Sequence, residues 1–228
     1  MPGTPPLGPA ALFRVRVRTP SPARRAIPLL TIAAAVAALA IAALAIAFAA
    51  APALAQAPAA CPSASDRLGA APSATVEAAV SCLVNAERTQ RGMAAVAPAG
   101  ALEVSAQRHA ADMVARRYFA HVSPSGGTVD KRARRAGYLS GPCWLLGEDL
   151  GWAPPTVATA EAVVAAWMES PKHRAVILDP TFRDIGIGVV SRSPVGDGSG
   201  ATFVLELGAM TACGPADAAA PRARIRVS

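Results

Sequence analysis

The sequence is poor in histidine and carries none of the common hydrolase signatures. Three histidines stand among 228 residues, so imidazole chemistry falls on His109, His121 or His173. No H-E-x-x-H pair occurs, which excludes a helix-borne zinc-peptidase site, and no G-x-S-x-G elbow marks a hydrolase serine. The four cysteines, Cys61, Cys82, Cys143 and Cys213, include no C-x-x-C spacing. That argues against a zinc ribbon and a thioredoxin-type redox site. No internal repeat is visible. Acid is absent from the first 25 residues, which instead hold Arg14, Arg16, Arg18, Arg24 and Arg25.

That basic start leads into an apolar run from Ile27 to about Ala50, and then into Ala53-Leu54-Ala55. Basic, apolar and small-residue segments in this order read as a secretory signal over residues 1–55, cut after Ala55. The apolar run is longer than the roughly 7–15 residues of an ordinary signal. It reaches the roughly 18 that can span a bilayer, so an uncleaved membrane anchor at residues 27–50 is the alternative. In both readings the remainder lies outside the cytoplasm, secreted or extracellular. Without the first 55 residues the chain keeps 17 basic residues of its 22 against all 15 acidic ones. The pI near 10.0 therefore carries no expectation of nucleic acid. The cluster Lys131, Arg132, Arg134, Arg135 reads as a solvated helix face.

An even number of cysteines in an oxidising compartment reads as disulfides. Four cysteines allow three connectivities. The favoured one joins Cys61 to Cys82, pinning an arm to the first helix, and Cys143 to Cys213, tying a mid-chain loop to the end of the last strand. Residues 56–75, rich in Ala, Pro and Ser, read as an arm, and residues 214–228 as a disordered tail. Residues 76–213 are left for one domain, expected to be monomeric.

Within it, apolar spacing of 3.6 predicts helices near Val76–Arg91 and Ala101–Arg117. A short helix runs from Thr128 to Gly137. A fourth starts at Thr159 as N-cap and stops at Pro171. Strands follow at Ile185–Val190 and Ala201–Leu207, joined by a Pro/Gly/Asp loop. Helices first and an antiparallel pair last predict an α+β fold with helices covering a small antiparallel sheet.

His109 lies on the apolar face of the second helix and reads as a core residue. His121 stands where that helix gives way to a turn-rich loop, and His173 just past Pro171. Each of these two is either a site residue on an element edge or a solvated one. Glu148, between glycine and leucines, is a turn residue or an acid drawn inward by a partner. Two imidazoles and one carboxylate are a plausible zinc set with one open position.

Several stretches, in order, resemble one family. Leu83-Val84-Asn85-Ala86-Glu87-Arg88 with Gly92 is similar to the first-helix motif of bacterial CAP domains, the family of cysteine-rich secretory, antigen 5 and pathogenesis-related proteins. His109-Ala110-Ala111-Asp112-Met113 and Phe119-Ala120-His121-Val122-Ser123-Pro124 resemble its second helix and first site histidine. Arg135-Ala136-Gly137-Tyr138, Gly147-Glu148-Asp149-Leu150, Trp167 through Arg174, Ile177-Leu178 and Ile185-Gly186-Ile187-Gly188 complete the series. The resemblance implies an α-β-α sandwich with a cleft. In many members that cleft holds two histidines and two glutamates, and in some a divalent metal.

Carried over, His121, Glu148 and His173 are the zinc or other divalent-metal ligands. The second glutamate falls at Ser170, so Ser170 joins the binding cleft. Glu169 is one residue off, about 100° around a helix. Asp149 stands where the family has asparagine. The expected function is a secreted binding or interaction module whose cleft holds a metal, a lipid, a peptide or an envelope component. The alternative is a metal-dependent, peptidase-like hydrolase using the same cleft, with Glu148 or Glu169 as its acid–base group. The balance leans away from an enzyme.

Overall fold

The structure, a computed structural model, describes residues 61–211 and 223–228. The signal or anchor segment, Cys213 and the first part of the tail lie outside the described residues. Among the described residues five helices and five strands follow in the order α1 Ser73–Thr89, β1 Ala97–Pro98, α2 Gly100–Arg116, α3 Val129–Arg135, β2 Trp144–Ala153, α4 Ala160–Glu169, α5 Pro171–Ile177, β3 Asp184–Val190, β4 Ala201–Met210 and β5 Ala223–Val227.

The predicted helices form within a few residues of their expected ends, for the local reasons the sequence offers. The Thr159 hydroxyl accepts the Ala162 N–H and so caps α4. Pro171 closes α4 and opens α5 at a first-turn position, where its missing N–H costs nothing. Two expectations are corrected. The segment around Glu148, open between a turn and an acid drawn inward by a partner, is not a turn but the ten-residue strand β2 with its first seven residues buried. Residues 214–228, read as a disordered tail, include the strand β5.

The strands line up as β1-β3-β4-β2-β5. The two central pairings, β3 with β4 and β2 with β4, are antiparallel. The two outer ones, β1 with β3 and β2 with β5, are parallel. The sheet is therefore mixed and larger than the expected antiparallel pair. Side chains alternate across it. One face carries Ile185, Ile187, Phe203, Leu205 and Leu207 against Val76, Val80, Val84, Trp167 and Ile177 of α1, α4 and α5. The other carries Trp144 and Leu146 against Leu102 and Ala133, and Leu150 and Val204 against Ala106 and Met113. Helices on both faces make the α-β-α sandwich. Burial on both faces also explains why β2 shows no polar–apolar alternation.

Cys61 and Cys82 form a disulfide across 21 positions, tying the arm to α1 as expected. Cys143 is also disulfide-bonded.

The Gly186 and Gly188 pair lets α2 lie directly on β3. A methyl at Gly186 would overlap the Leu102 backbone, and one at Gly188 the backbone of Ala106 and Gln107. Because backbone, not a flexible side chain, stands in the way, relief requires α2 to lift from the sheet. Gly188→Ala is expected to destabilise the domain by about 2–3 kcal/mol. Urea denaturation measures it, and an unchanged midpoint would refute the close-approach reading.

Candidate functional site

Glu148 is the centre of the site. It sits on the α2/α3 face of β2 with no exposed surface, and a buried carboxylate must be paired. It has two partners. Arg132 Nη2 donates to Oε2, and His121 Nδ1 lies 2.8 Å from Oε1. Arg132 also donates to the carbonyls of His121 and Gly127 at 3.0 and 2.8 Å, which fixes the loop that presents His121. Arg132 is 7% exposed, a correction to the solvated-face reading. Its neighbours Lys131, Arg134 and Arg135 are exposed.

A second buried acid stands directly across the sheet. Glu206 on β4 is in register with Glu148 and equally buried. Its Oε1 accepts the Ser105 hydroxyl at 2.9 Å and lies 3.9 Å from Arg132 Nε. Burial, reinforced by Glu148, pushes the Glu206 carboxyl well above the usual range. His109 is buried beside this network on α2. Burial lowers its pKa to about 4, so it stays neutral, a core residue as expected.

His121 faces an acceptor on each ring nitrogen. Nδ1 meets Glu148, and Nε2 lies 2.7 Å from the Ser228 carbonyl. An acceptor on each side favours the doubly protonated ring, in which both nitrogens donate. Burial opposes that charge, but the hydrogen bonds to Glu148 and Ser228 and the nearby Asp149 outweigh it and raise the pKa.

His173 shares the neighbourhood. Burial and the His121 charge lower its pKa, and among the described residues its buried Nδ1 meets no hydrogen-bond partner. It lines an apolar groove of about 280 Å³ with Leu150, Trp152, Val157 and Trp167. Ser170 is the hinge residue between α4 and α5. Glu169 is exposed on the last turn of α4 and makes no hydrogen bond or ion pair with these groups.

The donor set does not fit a three-ligand metal centre in this arrangement. Both Glu148 oxygens and both His121 ring nitrogens are engaged in hydrogen bonds. Among the described residues no group of three or more His, Cys, Asp or Glu is placed to hold an ion. Glu148 acts here as the group that orients His121.

Asp149 points to the other face of β2 and is also fully buried. The Ser228 hydroxyl donates to its Oδ1, and Oδ2 has no partner among the described residues. Burial raises its pKa from 3.8 to about 7, against the opposing pull of Ser228 and His121. The unfolded chain therefore loses this proton first as pH rises. Stability falls between about pH 4 and pH 7 and the loss is complete above that window. Asp149→Asn removes the effect. The difference between variant and wild type is expected to grow by on the order of 2–4 kcal/mol between pH 4 and pH 8. Denaturation at pH 4.5, 6 and 8 checks this, and parallel curves would refute it.

The family model described as the cysteine-rich secretory protein family, CAP, matches residues 83–206, more than half of the chain. The chain belongs to the CAP family. The match takes in His121, Glu148, His173 and Glu206. The uncharacterized protein YkwD of Bacillus subtilis is 34% identical over 113 residues, which are 50% of this chain and 42% of that protein. The chain thus spans less than half the length of this relative. A crystal structure of an extracellular SCP-domain protein of Bacillus anthracis is similar at 24% identity and TM-score 0.47, over 56% of this chain and 38% of the other. An outer surface protein of Borrelia burgdorferi is similar at 19% identity and TM-score 0.49, over 58% and 90%.

Within this CAP domain the sequence reading missed Arg132 as a site residue, and also Glu206, Ser105 and Ser228. Glu206 left a signal: it is the one acid in the apolar strand Phe203-Val204-Leu205-Glu206-Leu207, and a buried acid needs a buried cation. Ser228 left none, because no local pattern reports a long-range strand pairing.

Proposed function

We propose that this CAP protein is an exported binding module whose cleft recognises a carbonyl- or carboxylate-bearing ligand through His121. The observation that carries this reading is the His121 ring, held by Glu148 through Nδ1 with Nε2 facing an oxygen acceptor. The apolar groove lined by His173 and Trp167 supplies a neighbouring surface for the rest of the ligand. Export is supported by the basic and apolar start of the chain and by the Cys61–Cys82 disulfide, which suits an oxidising compartment. Among the described residues no helix is long and apolar enough to cross a membrane.

A hydrolase needs a free base beside a nucleophile or an activated water. Glu148 is held by Arg132 and His121 and Glu169 is exposed with no bond to either, which favours binding over catalysis.

The test follows the His121 ring resonances of the full chain during titration with N-acetylated peptides and, separately, with zinc. Peptides are expected to shift them, and His121→Ala to abolish binding. One zinc per chain, lost in both His121→Ala and His173→Ala, would replace this reading with a metal centre and call for peptidase assays.

A further inference from the structure

The group that meets His121 and Asp149 belongs to the chain's own tail. Its strand β5 follows the family-matched residues and adds itself to the outer edge of β2, from Trp144 opposite Ala223 to Glu148 opposite Val227. Without it β2, which carries Glu148 and Asp149, would be an open sheet edge, a ready template for another strand.

Little apolar burial holds β5 in place. Ile225 and Val227 are 44% and 48% exposed, so their transfer from water adds little. The strand is held by its backbone ladder and by polar contacts at one end. Arg226 Nε lies 2.8 Å from Asp179 Oδ2. The Ser228 hydroxyl donates to Asp149, and the Ser228 carbonyl accepts from His121. The receiving groups belong to the domain, Asp149 to β2 and Asp179 to the loop after α5, and with β5 in place they are fully buried and 6% exposed. The arriving side is exposed, with the Arg226 side chain 51% accessible. This asymmetry is that of a preformed socket and a removable plug. Backbone pairing gives such a strand its affinity, and alternate side chains give it register.

We propose that the β2 edge is a docking site for an extended peptide of the pattern Arg-x-Ser or Arg-x-Thr, and that residues 223–228 occupy it as a displaceable internal plug. The arginine pairs with Asp179, the hydroxyl with Asp149, and the following backbone carbonyl with His121. The peptide runs parallel to β2. The plug competes at the high effective concentration of a tethered segment, so a free peptide binds the plugged chain more weakly than a chain whose plug is loosened. This deepens the binding-module reading above and rests on it.

The test uses the full chain, wild type and Arg226→Glu, and a fluorescent peptide Ala-Arg-Ile-Arg-Val-Ser capped at both ends. Arg226 is exposed, so the substitution leaves the fold intact. Arg226→Glu is expected to speed amide exchange in residues 223–228 by about tenfold or more without changing β4, and to tighten peptide binding by at least about tenfold over wild type. A control peptide with its second arginine changed to glutamate should not bind. The proposal is overturned if residues 223–228 exchange as slowly as β4 in both chains, or if the peptide binds both equally or neither. It is also overturned if the tail pairs instead with a second copy, seen as a dimer that Arg226→Glu dissolves. Failure here with a His121 response to other ligands would leave the binding-module reading standing. Silence of His121 to every ligand would remove that reading too.

Discussion

Arg132→Met is expected to destabilise the domain by about 3–5 kcal/mol at pH 8, because it strands buried carboxylates without their cation. Arg132 is the only arginine or lysine bonded to the fully buried Glu148 among the described residues, and it lies between Glu148 and Glu206, acids in register on neighbouring strands. Methionine keeps most of the aliphatic volume, so the change reports charge and hydrogen bonding more than packing. The sign with pH follows from Glu206. Its carboxyl already titrates above the usual range, so its proton is retained on folding, and the folded state loses stability as pH rises through that raised value. Removing the cation steepens the loss, so the penalty should shrink toward pH 5.

Two further variants separate the acids. Glu206→Gln alone should stay within about 1 kcal/mol of wild type, since the neutral amide mimics the protonated acid. Combined with Arg132→Met, it should recover part of the loss, a coupling that a double-mutant cycle reads directly. A pH-independent cost, or no coupling, would mean that Arg132 acts only through the carbonyls of His121 and Gly127. His121 should lose its orientation in the same variant, so its ring resonances give a readout that stability alone does not.

The parts of this fold that were legible in the sequence are those governed by local physics. Thr159 and Pro171 bound α4 because capping and a missing N–H act within one turn. Gly186 and Gly188 could be placed in a strand, but their purpose, contact with the α2 backbone, depends on a helix about 80 positions earlier. His121, Glu148 and His173 were assembled only through family resemblance, since each had an equally good solvated reading. What stayed hidden was long-range polar pairing. Arg132 sits in a run of four basic residues, three of which are exposed, and composition cannot tell which one turns inward. The tail was misread because β5 is a strand only by virtue of the β2 edge it joins. In isolation Ala-Arg-Ile-Arg-Val is too short and too charged to hold a structure.

The second large effect is expected at Arg88, in the helix motif that carried the resemblance. Arg88 has no exposed surface. It donates to the carbonyls of Ile177 and Asp179 at 2.6 and 2.9 Å, and to that of Ala94 at 3.1 Å. The carbonyls of Ile177 and Asp179 end α5 and shape the loop after it, where no helical N–H remains to satisfy them, and that of Ala94 lies in the loop after α1. Arg88→Met leaves them buried and unpaired, each at about 1–3 kcal/mol before relaxation. The total is expected near 4–5 kcal/mol, a large share of the stability of a small domain. Arg88→Lys should fall in between, because one ammonium cannot reproduce the planar fork. The adjacent Glu87 is the internal control. Its ion pair with Arg91 is partly exposed, so Glu87→Ala should cost less than about 1 kcal/mol. Urea denaturation of the three variants checks the order, and an Arg88→Met chain within about 1 kcal/mol of wild type would refute it. The same loop carries the Asp179 carboxylate to Arg226. Arg88→Met should therefore also release residues 223–228, seen as faster amide exchange there under conditions where the domain is still folded. The motif that identifies the family thus holds the floor of the socket that the tail fills.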